Sequence, residues 1–552
     1  MLVGAAADYQ VEPGLVHGGR LAARALRSRG VSHLFTLSGG HLFSLYDGCR
    51  AEGIEIVDVR HEQTAAFAAE GWAKATREVG VCALTAGPGV TNGISAIAGA
   101  AANGSPLLVL AGRAAEMRWG SGSLQEIDHL PFVSPLVKSA RTVKQTAAIG
   151  PATAAAIDLA RELPGGPTFL DYPLDVVFME AESTRLDPPP QRPVEPADGV
   201  ERVAALLAAA ERPAVMAGSG LYWARAELEL AALARAFGIP VFLNGLGRGC
   251  IAADDELAFS RTRSGALQEA DLVLVIGAAL DFRLGFGSAI GPQATLVRID
   301  CEPNRLTANR LPEFDLVGDI AATLAALGAA NGDGARNRAV RRLAGLRAAE
   351  DQKRGAERAE LEDPRAPLHP MRIYGELAGL LDRDAIVVGD GGDFVSYAGR
   401  LIDTYQPGCW LDPGPFGCLG AGPGQAIGAK LARPDRQVCL LLGDGAFGFA
   451  GMEFDTMVRH GIPVVAIVGN NGIWALEKRP MEMLFGYSVA ADLTPETRYD
   501  KVAEALGAHA ELVRTPDQLR PALQRAFGCG GPAVVNVLTD PEVVYPRRAM
   551  LA

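Results

Sequence analysis

The chain has 552 residues, 49% of them apolar and 21% charged, and a formal net charge of −12. That balance belongs to a folded protein of several domains, since domains usually hold ~100–200 residues each. The acidic excess argues against a sequence-independent grip on nucleic-acid phosphates or anionic membranes. Eight cysteines (Cys49, Cys82, Cys250, Cys301, Cys409, Cys418, Cys439 and Cys529) are scattered without a CxxC pair. They suit a reducing compartment and supply neither a disulfide framework nor a zinc site. The first residues show no basic region followed by an apolar core, and no apolar run approaches the ~20 residues that cross a bilayer. A cytoplasmic location is expected, with no nucleic-acid or membrane partner.

In chain order, short apolar runs alternate with segments of helical period. Residues 32–36 read as a strand, followed by Ser38-Gly39-Gly40-His41. Residues 54–59 read as a strand, 63–77 as a helix, 79–85 as a strand, 91–102 as a helix and 106–112 as a strand. Continuously apolar strands alternating with helices predict parallel sheets covered on both faces. A proline-rich stretch, DPPPQRPVEP, then breaks the rhythm as a semi-rigid linker. Beyond it lie strands at 213–218, 240–244, 272–277 and 296–300, followed by a charged helix at 336–361. The expected fold is α/β: three consecutive domains, each a mainly parallel sheet flanked by helices. The expected divisions are 1–182, a linker at 183–199, 200–330, a charged helical linker at 331–368, and 369–552.

The most informative stretch is VCLLLGDGAFGFAGMEFDTMVRHGIPVVAIVGNN, residues 438–471. Residues 438–442 form a buried strand, Gly443-Asp444-Gly445 the turn at its carboxyl end, and a helix runs on to about His460. Residues 464–468 form the next strand, with Asn470 and Asn471 just beyond it. In a right-handed βαβ unit both strands end on the same sheet edge, so Asp444 and Asn471 meet although 27 positions apart. A charged and a neutral oxygen suit a hard cation such as Mg²⁺ that shares its shell with phosphate, and helix-opening amides favour a diphosphate. GDG alone is an ordinary βα turn; the ordered series of strand, GDG, helix, strand and NN is far more specific.

With 24 residues between GDG and NN, this stretch resembles the signature of thiamine-diphosphate enzymes. The resemblance implies Mg²⁺ ligands at Asp444, Asn471 and the Ile473 carbonyl, and diphosphate contacts from Gly445 and Ala446. Near the other end, RHEQTAAFAAEGWAK (60–74) and LTAGPGVTN (84–92) resemble the acetolactate synthase branch. By itself Glu62 would simply complement a helix dipole. The resemblance places it on the glutamate that activates the cofactor, where a carboxyl group holds the ring nitrogen opposite the aminopyrimidine's amine. It also places Pro88 and Asn92 beside the cofactor, and Gly39 and Gln125 beside the substrate, the former offering an amide to an oxyanion. Residues 415–420, PFGCLG, match the wedge that bends the cofactor, with Gly417 and with Leu419 where many relatives have methionine. Gly392, Asp393 and Phe394 occupy the family's other cofactor loop.

Two features depart from acetolactate synthases: the Gly-Gln-His pattern is missing at 389–394, and GIWALEKRPMEMLFGYS after Asn471 is unlike their substrate-selecting segment. DFRLGFG and RIDCEPNRLTANR in the middle block resemble oxalyl-CoA decarboxylase and 2-hydroxyacyl-CoA lyase. In relatives that block holds FAD, holds ADP or a coenzyme A tail, or is empty. The resemblance therefore implies decarboxylation and carboligation of 2-keto acids, with cleavage of a 2-hydroxyacyl-CoA as the alternative. It also implies a homodimer or homotetramer whose active site lies between subunits. Readings from other classes are a flavin or nicotinamide oxidoreductase, suggested by the glycine turns, and a non-catalytic binding subunit. Joint retention of Glu62, Asp444 and Asn471 speaks against the last.

Overall fold

The computed structural model describes residues 14–190, 194–304, 306–330 and 333–545. The first residues, read above for targeting signals, therefore lie outside the described residues, as do part of the proline-rich stretch and the opening of the charged linker. Among the described residues no helix is long and apolar enough to cross a membrane.

Three parallel sheets carry the chain. The first runs through His33–Thr36, Glu55–Asp58, Gly80–Leu84, Leu107–Arg113, Ser139–Thr142 and Pro167–Pro173. Numbering these six in sequence, their spatial order is 2-1-3-4-6-5. The last sheet, from Ile386–Asp390 through Trp410–Leu411, Val438–Gly443, Val465–Asn470, His509–Val513 and Ala533–Leu538, has the same order. Five strands between them, Pro213–Ala217 to Phe314–Val317, follow 2-1-3-4-5. In each sheet the chain moves one way from the first strand and then the other way, leaving a switch point between strands 1 and 3. Crevices outside the carboxyl ends at such points are where ligands bind in open α/β sheets. A short antiparallel pair, Leu15–His17 with Glu180–Glu182, closes the first domain.

The first and last domains share one apolar core. Its seam is the contact between helices Glu62–Thr76 and Ala421–Ala432, whose backbones approach through glycine. A Cβ at Gly71 would lie 2.3 Å from the Gln425 carbonyl oxygen, and one at Gly428 1.9 Å from that of Ala68. Glu70 and Lys74 form a buried ion pair at 3.1 Å beside the seam, and Gln425 Nε2 donates to Glu70 at 3.0 Å. Gly428→Val should therefore force the helices apart, costing about 1–3 kcal/mol and lowering the melting temperature. A variant that melts with the parent protein counts against this packing.

Several elements differ from expectation. The helix after Gly443 is two, Asp444–Ala450 and Glu453–Arg459; they part at Gly451, where any Cβ would strike the Phe447 ring at 2.4 Å. The charged helix spans Asp333–Ala356 and stops before Arg358–Leu361. Between the two, buried Glu357 pairs with Arg261 and Arg400. Asn470 belongs to the strand rather than lying beyond it. The helix expected from residue 91 begins at Pro88, whose fixed φ suits a first helical position.

Candidate functional site

A crevice of about 310 Å³ opens at the switch point of the last sheet. All the residues expected in this domain line it: Gly392, Asp393, Phe394, Gly417, Leu419, Asp444, Gly445, Ala446, Asn471 and Ile473. Strand Val438–Gly443 delivers Asp444 to the first turn of the next helix, only 3% exposed. Its Oδ2 accepts from the Gly472 amide at 2.8 Å and its Oδ1 from Gly445 at 3.0 Å. Gly443 pairs with Gly469 across the sheet, so the two strand ends, and with them Asp444 and the turn after Asn471, are adjacent.

The two asparagines divide their work because successive strand residues face opposite ways. Asn470 is buried and donates to the Thr497 carbonyl and to Asn536, at 3.0 and 3.1 Å. Asn471 is half-buried in the crevice wall, its Oδ1 accepting from Ile473 at 3.2 Å. Trp474, which sequence reasoning passed over, stands on Gly445 so closely that a Cβ there would meet its ring at 2.5 Å. Only its place directly after Ile473 could have marked it.

Opposite them, Gly391 takes φ 115°, which favours glycine, and a Cβ at Gly392 would strike Leu476 at 2.3 Å. Phe394 is packed against the Gly469 backbone and the Tyr374 ring. Asp393 Oδ1 accepts from the Tyr545 amide at 2.6 Å, so the chain's last described residue is tied to this loop. Leu419 packs on the core while lining the crevice. Asp390 caps the helix behind, accepting from Gly420 and Gly422; burial pushes its carboxyl up to about 7 against these bonds.

The residues expected in the first domain gather at that domain's own switch point. Glu62 opens its helix, half-buried, and Asn92 Nδ2 donates to its Oε2 at 3.0 Å. His61 is the N-cap, accepting from Gln63. The Arg60 amide donates to both oxygens of Glu453, at 3.2 and 3.1 Å, fastening this turn to the last domain; that acid, 393 positions away, was not foreseen. Gly39 comes close enough to Thr85 that a Cβ would lie 2.3 Å from its hydroxyl. Gln125, with φ 60°, rests against Gly87, next to Pro88. Neither Glu62 nor Asn92 lines the Asp444 crevice of the same chain; within one chain the structure keeps the two clusters apart, one in each domain.

The crevice fits a magnesium–diphosphate group. Asp444 would supply one anionic oxygen and Asn471 and the Ile473 carbonyl neutral ones, and the remaining positions of a hard dication suit phosphate oxygens. Glycine backbones and the opening of helix Asp444–Ala450 leave room and amides for the anion. Burial pushes Asp444 up to about 6, against the bonds from Gly472 and Gly445. An acid raised this way is neutral below that pH and ionised above it, and only the ionised form can ligate. Mg²⁺ uptake by the free protein should thus weaken about tenfold per pH unit once pH falls below Asp444's pKa. Calorimetric titrations from pH 5 to 8 check this, and a flat profile contradicts it.

Three family models match the chain. The thiamine pyrophosphate enzyme N-terminal TPP-binding domain covers residues 16–132, the central domain 200–327 and the C-terminal TPP-binding domain 390–537. The acetolactate synthase large subunit of Mycobacterium tuberculosis is 56% identical over 542 residues, 97% of this chain and 98% of that protein. The 2-hydroxyacyl-CoA lyase 2 of Homo sapiens is 35% identical over 571 residues, covering 95% of this chain and 90% of that protein. The lyase of the same name from Bos taurus is 36% identical over 573 residues.

Proposed function

The chain belongs to the thiamine pyrophosphate enzyme family, in its acetolactate synthase-like branch, and we propose on that premise that it decarboxylates a 2-keto acid and joins the remaining carbons to a second carbonyl. The observation that carries this reading is the crevice in which Asp444 and Asn471 meet between glycine turns and a helix N-terminus. Asp444, Asn471 and the Ile473 carbonyl hold Mg²⁺, and the amides of Gly445 and Ala446 hold the diphosphate. Gly392, Asp393, Phe394, Gly417 and Leu419 shape the walls. The bound coenzyme supplies a thiazolium that accepts the electron pair of the breaking bond.

Glu62, held by Asn92, keeps a proton at the coenzyme's ring nitrogen. Pro88 sets the start of the helix that carries Asn92. Gly39 and Gln125 offer the substrate an amide donor and a neutral side-chain partner. Because Glu62 lies outside the crevice of its own chain, its coenzyme is the one held by a second copy, and a homodimer is the smallest active unit. Exposed Phe43, Met117, Leu124, Phe416 and Phe449 supply apolar surface for that contact. We propose the domain limits 1–182, 200–330 and 369–552, with linkers at 183–199 and 331–368, and a cytoplasmic setting.

A second reading has one observation in its favour. A cleft of about 960 Å³ between the middle and last domains is lined by six cationic side chains, Arg248, Arg263 and Arg283 among them, against two acidic ones. It opens on Gly391, Gly392 and Gly417, which also line the crevice. At its other end a cavity of about 220 Å³ lies at the middle sheet's switch point, beside Gly220, Gly277 and Asp300. This path suits the phosphates and nucleotide of a 2-hydroxyacyl-CoA, or of FAD or ADP. Purified protein supplied with Mg²⁺ and thiamine diphosphate should form acetolactate from pyruvate. Cleavage of a 2-hydroxyacyl-CoA with no product from any 2-keto acid would overturn the first reading in favour of the second.

A further inference from the structure

The loop from Trp119 to His129 is held by charges that the proposed chemistry does not use. Arg113, at the end of strand Leu107–Arg113, lies over the Trp119 ring, 3.7 Å from its centroid. It donates to Asp128 and to Asp171, both at 3.2 Å. Asp171, in the adjacent strand Pro167–Pro173, is fully buried. The same carboxylate oxygen lies 3.0 Å from Nδ1 of His129, a ring with no exposed surface. Across that ring, Nε2 lies 3.0 Å from the Gly87 amide nitrogen.

This arrangement sets the tautomer. A backbone N–H can only donate, so Nε2 carries the lone pair, and Nδ1 carries the hydrogen and donates to Asp171. Gly87 itself has φ 63° and ψ −111°, a conformation open to glycine, at the head of helix Pro88–Ala102. A Cβ there would lie 2.9 Å from the Gln125 carbonyl oxygen. Glu126 closes the loop around Gln125 by accepting from the Gly120 and Ser123 amides. One turn into the helix, Asn92 holds Glu62. Both half-site groups of the first domain thus depend on where the Gly87 turn stands.

We propose that His129, oriented by Asp171 and Arg113, is a positioning residue for the reaction inferred above. It touches neither substrate nor coenzyme. By accepting from Gly87 it fixes the turn against which Gln125 packs and from which the Asn92 helix starts. The position needs an acceptor on one edge and a donor on the other, between an N–H and a carboxylate. Glutamine meets that need; leucine, of similar bulk, does not.

The test compares His129→Leu and His129→Gln, full-length and loaded with Mg²⁺ and thiamine diphosphate. His129→Leu should lower kcat about 100-fold, as misplacement of reacting groups by ~1 Å does, while coenzyme affinity stays within a few-fold. His129→Gln should recover most of the loss. Hydrogen exchange gives a readout independent of turnover: the 87–92 amides should exchange faster in the leucine variant and at the parental rate in the glutamine variant. If the parent protein shows no turnover with any 2-keto acid, the proposed function fails but the exchange comparison still decides this inference. A leucine variant with parental kcat and exchange overturns it. So does a folded glutamine variant in which the 87–92 amides exchange fast. Should the leucine variant not fold, the glutamine variant decides alone.

Discussion

Replacing Asp444 by alanine is expected to yield a folded protein that no longer retains magnesium or thiamine diphosphate. The reason lies in the donor set, in which Asp444 contributes the only protein charge. Asn471 and the Ile473 carbonyl offer dipoles, which cannot by themselves draw a dication from its hydration shell. Loss of outer-shell partners already costs about 10–100-fold in metal affinity, so removal of the charged ligand should weaken binding by more than about 100-fold. Turnover should then appear only with both Mg²⁺ and coenzyme in large excess. The fold should survive, because burial opposes ionisation of this carboxyl and its removal takes away a group that is costly to bury charged. Equilibrium dialysis and activity at stoichiometric coenzyme measure the effect; an unimpaired variant would remove Asp444 from the site.

Glu62→Gln is expected to behave in the opposite way, binding the coenzyme normally and turning over slowly. Asn92 Nδ2 donates to Glu62 Oε2 at 3.0 Å, and a glutamine carbonyl can accept the same bond, so the local structure has no reason to change. What disappears is a side chain able to hold and release a proton. General acid–base groups contribute about 10²–10⁴-fold, and kcat at saturating coenzyme should fall within that range. Magnesium and coenzyme affinity should stay close to the parent's, since the proposed magnesium and diphosphate ligands lie in the other half-site and glutamine keeps the bond from Asn92. A variant with undiminished kcat would show that Glu62 is only a helix-opening acid. Mixing this variant with Asp444→Ala offers a further check. If the two half-sites meet between subunits, mixed dimers should regain activity at one of their two sites.

The strand ends at which both half-sites lie were legible in the chain. Apolar runs ending in glycine turns marked strand ends, and a right-handed crossover between parallel strands obliged Asp444 and Asn471 to meet. Which asparagine faces the crevice was also within reach, because side chains alternate along a strand. By contrast, residues acting at long range left no local sign. Glu453 reaches the Arg60 amide from 393 positions away, and its sequence neighbourhood is that of any acid at a helix start. His129 meets Asp171 only because strand Pro167–Pro173 inserts beside Leu107–Arg113.

Taken alone, the sequence determined the fold class, since hydrophobic period and turn chemistry act within short windows, while the coenzyme family came from the resemblance of the stretches at 60–92 and 438–471 to known enzymes. The tertiary structure decided the rest. It showed that the first and last sheets share one strand order, that each candidate site sits at a switch point, and that helices Glu62–Thr76 and Ala421–Ala432 pack through glycine. Strand order and helix contact are pairings between distant segments. They are chosen by which surfaces bury each other best, and no single stretch of chain contains that information.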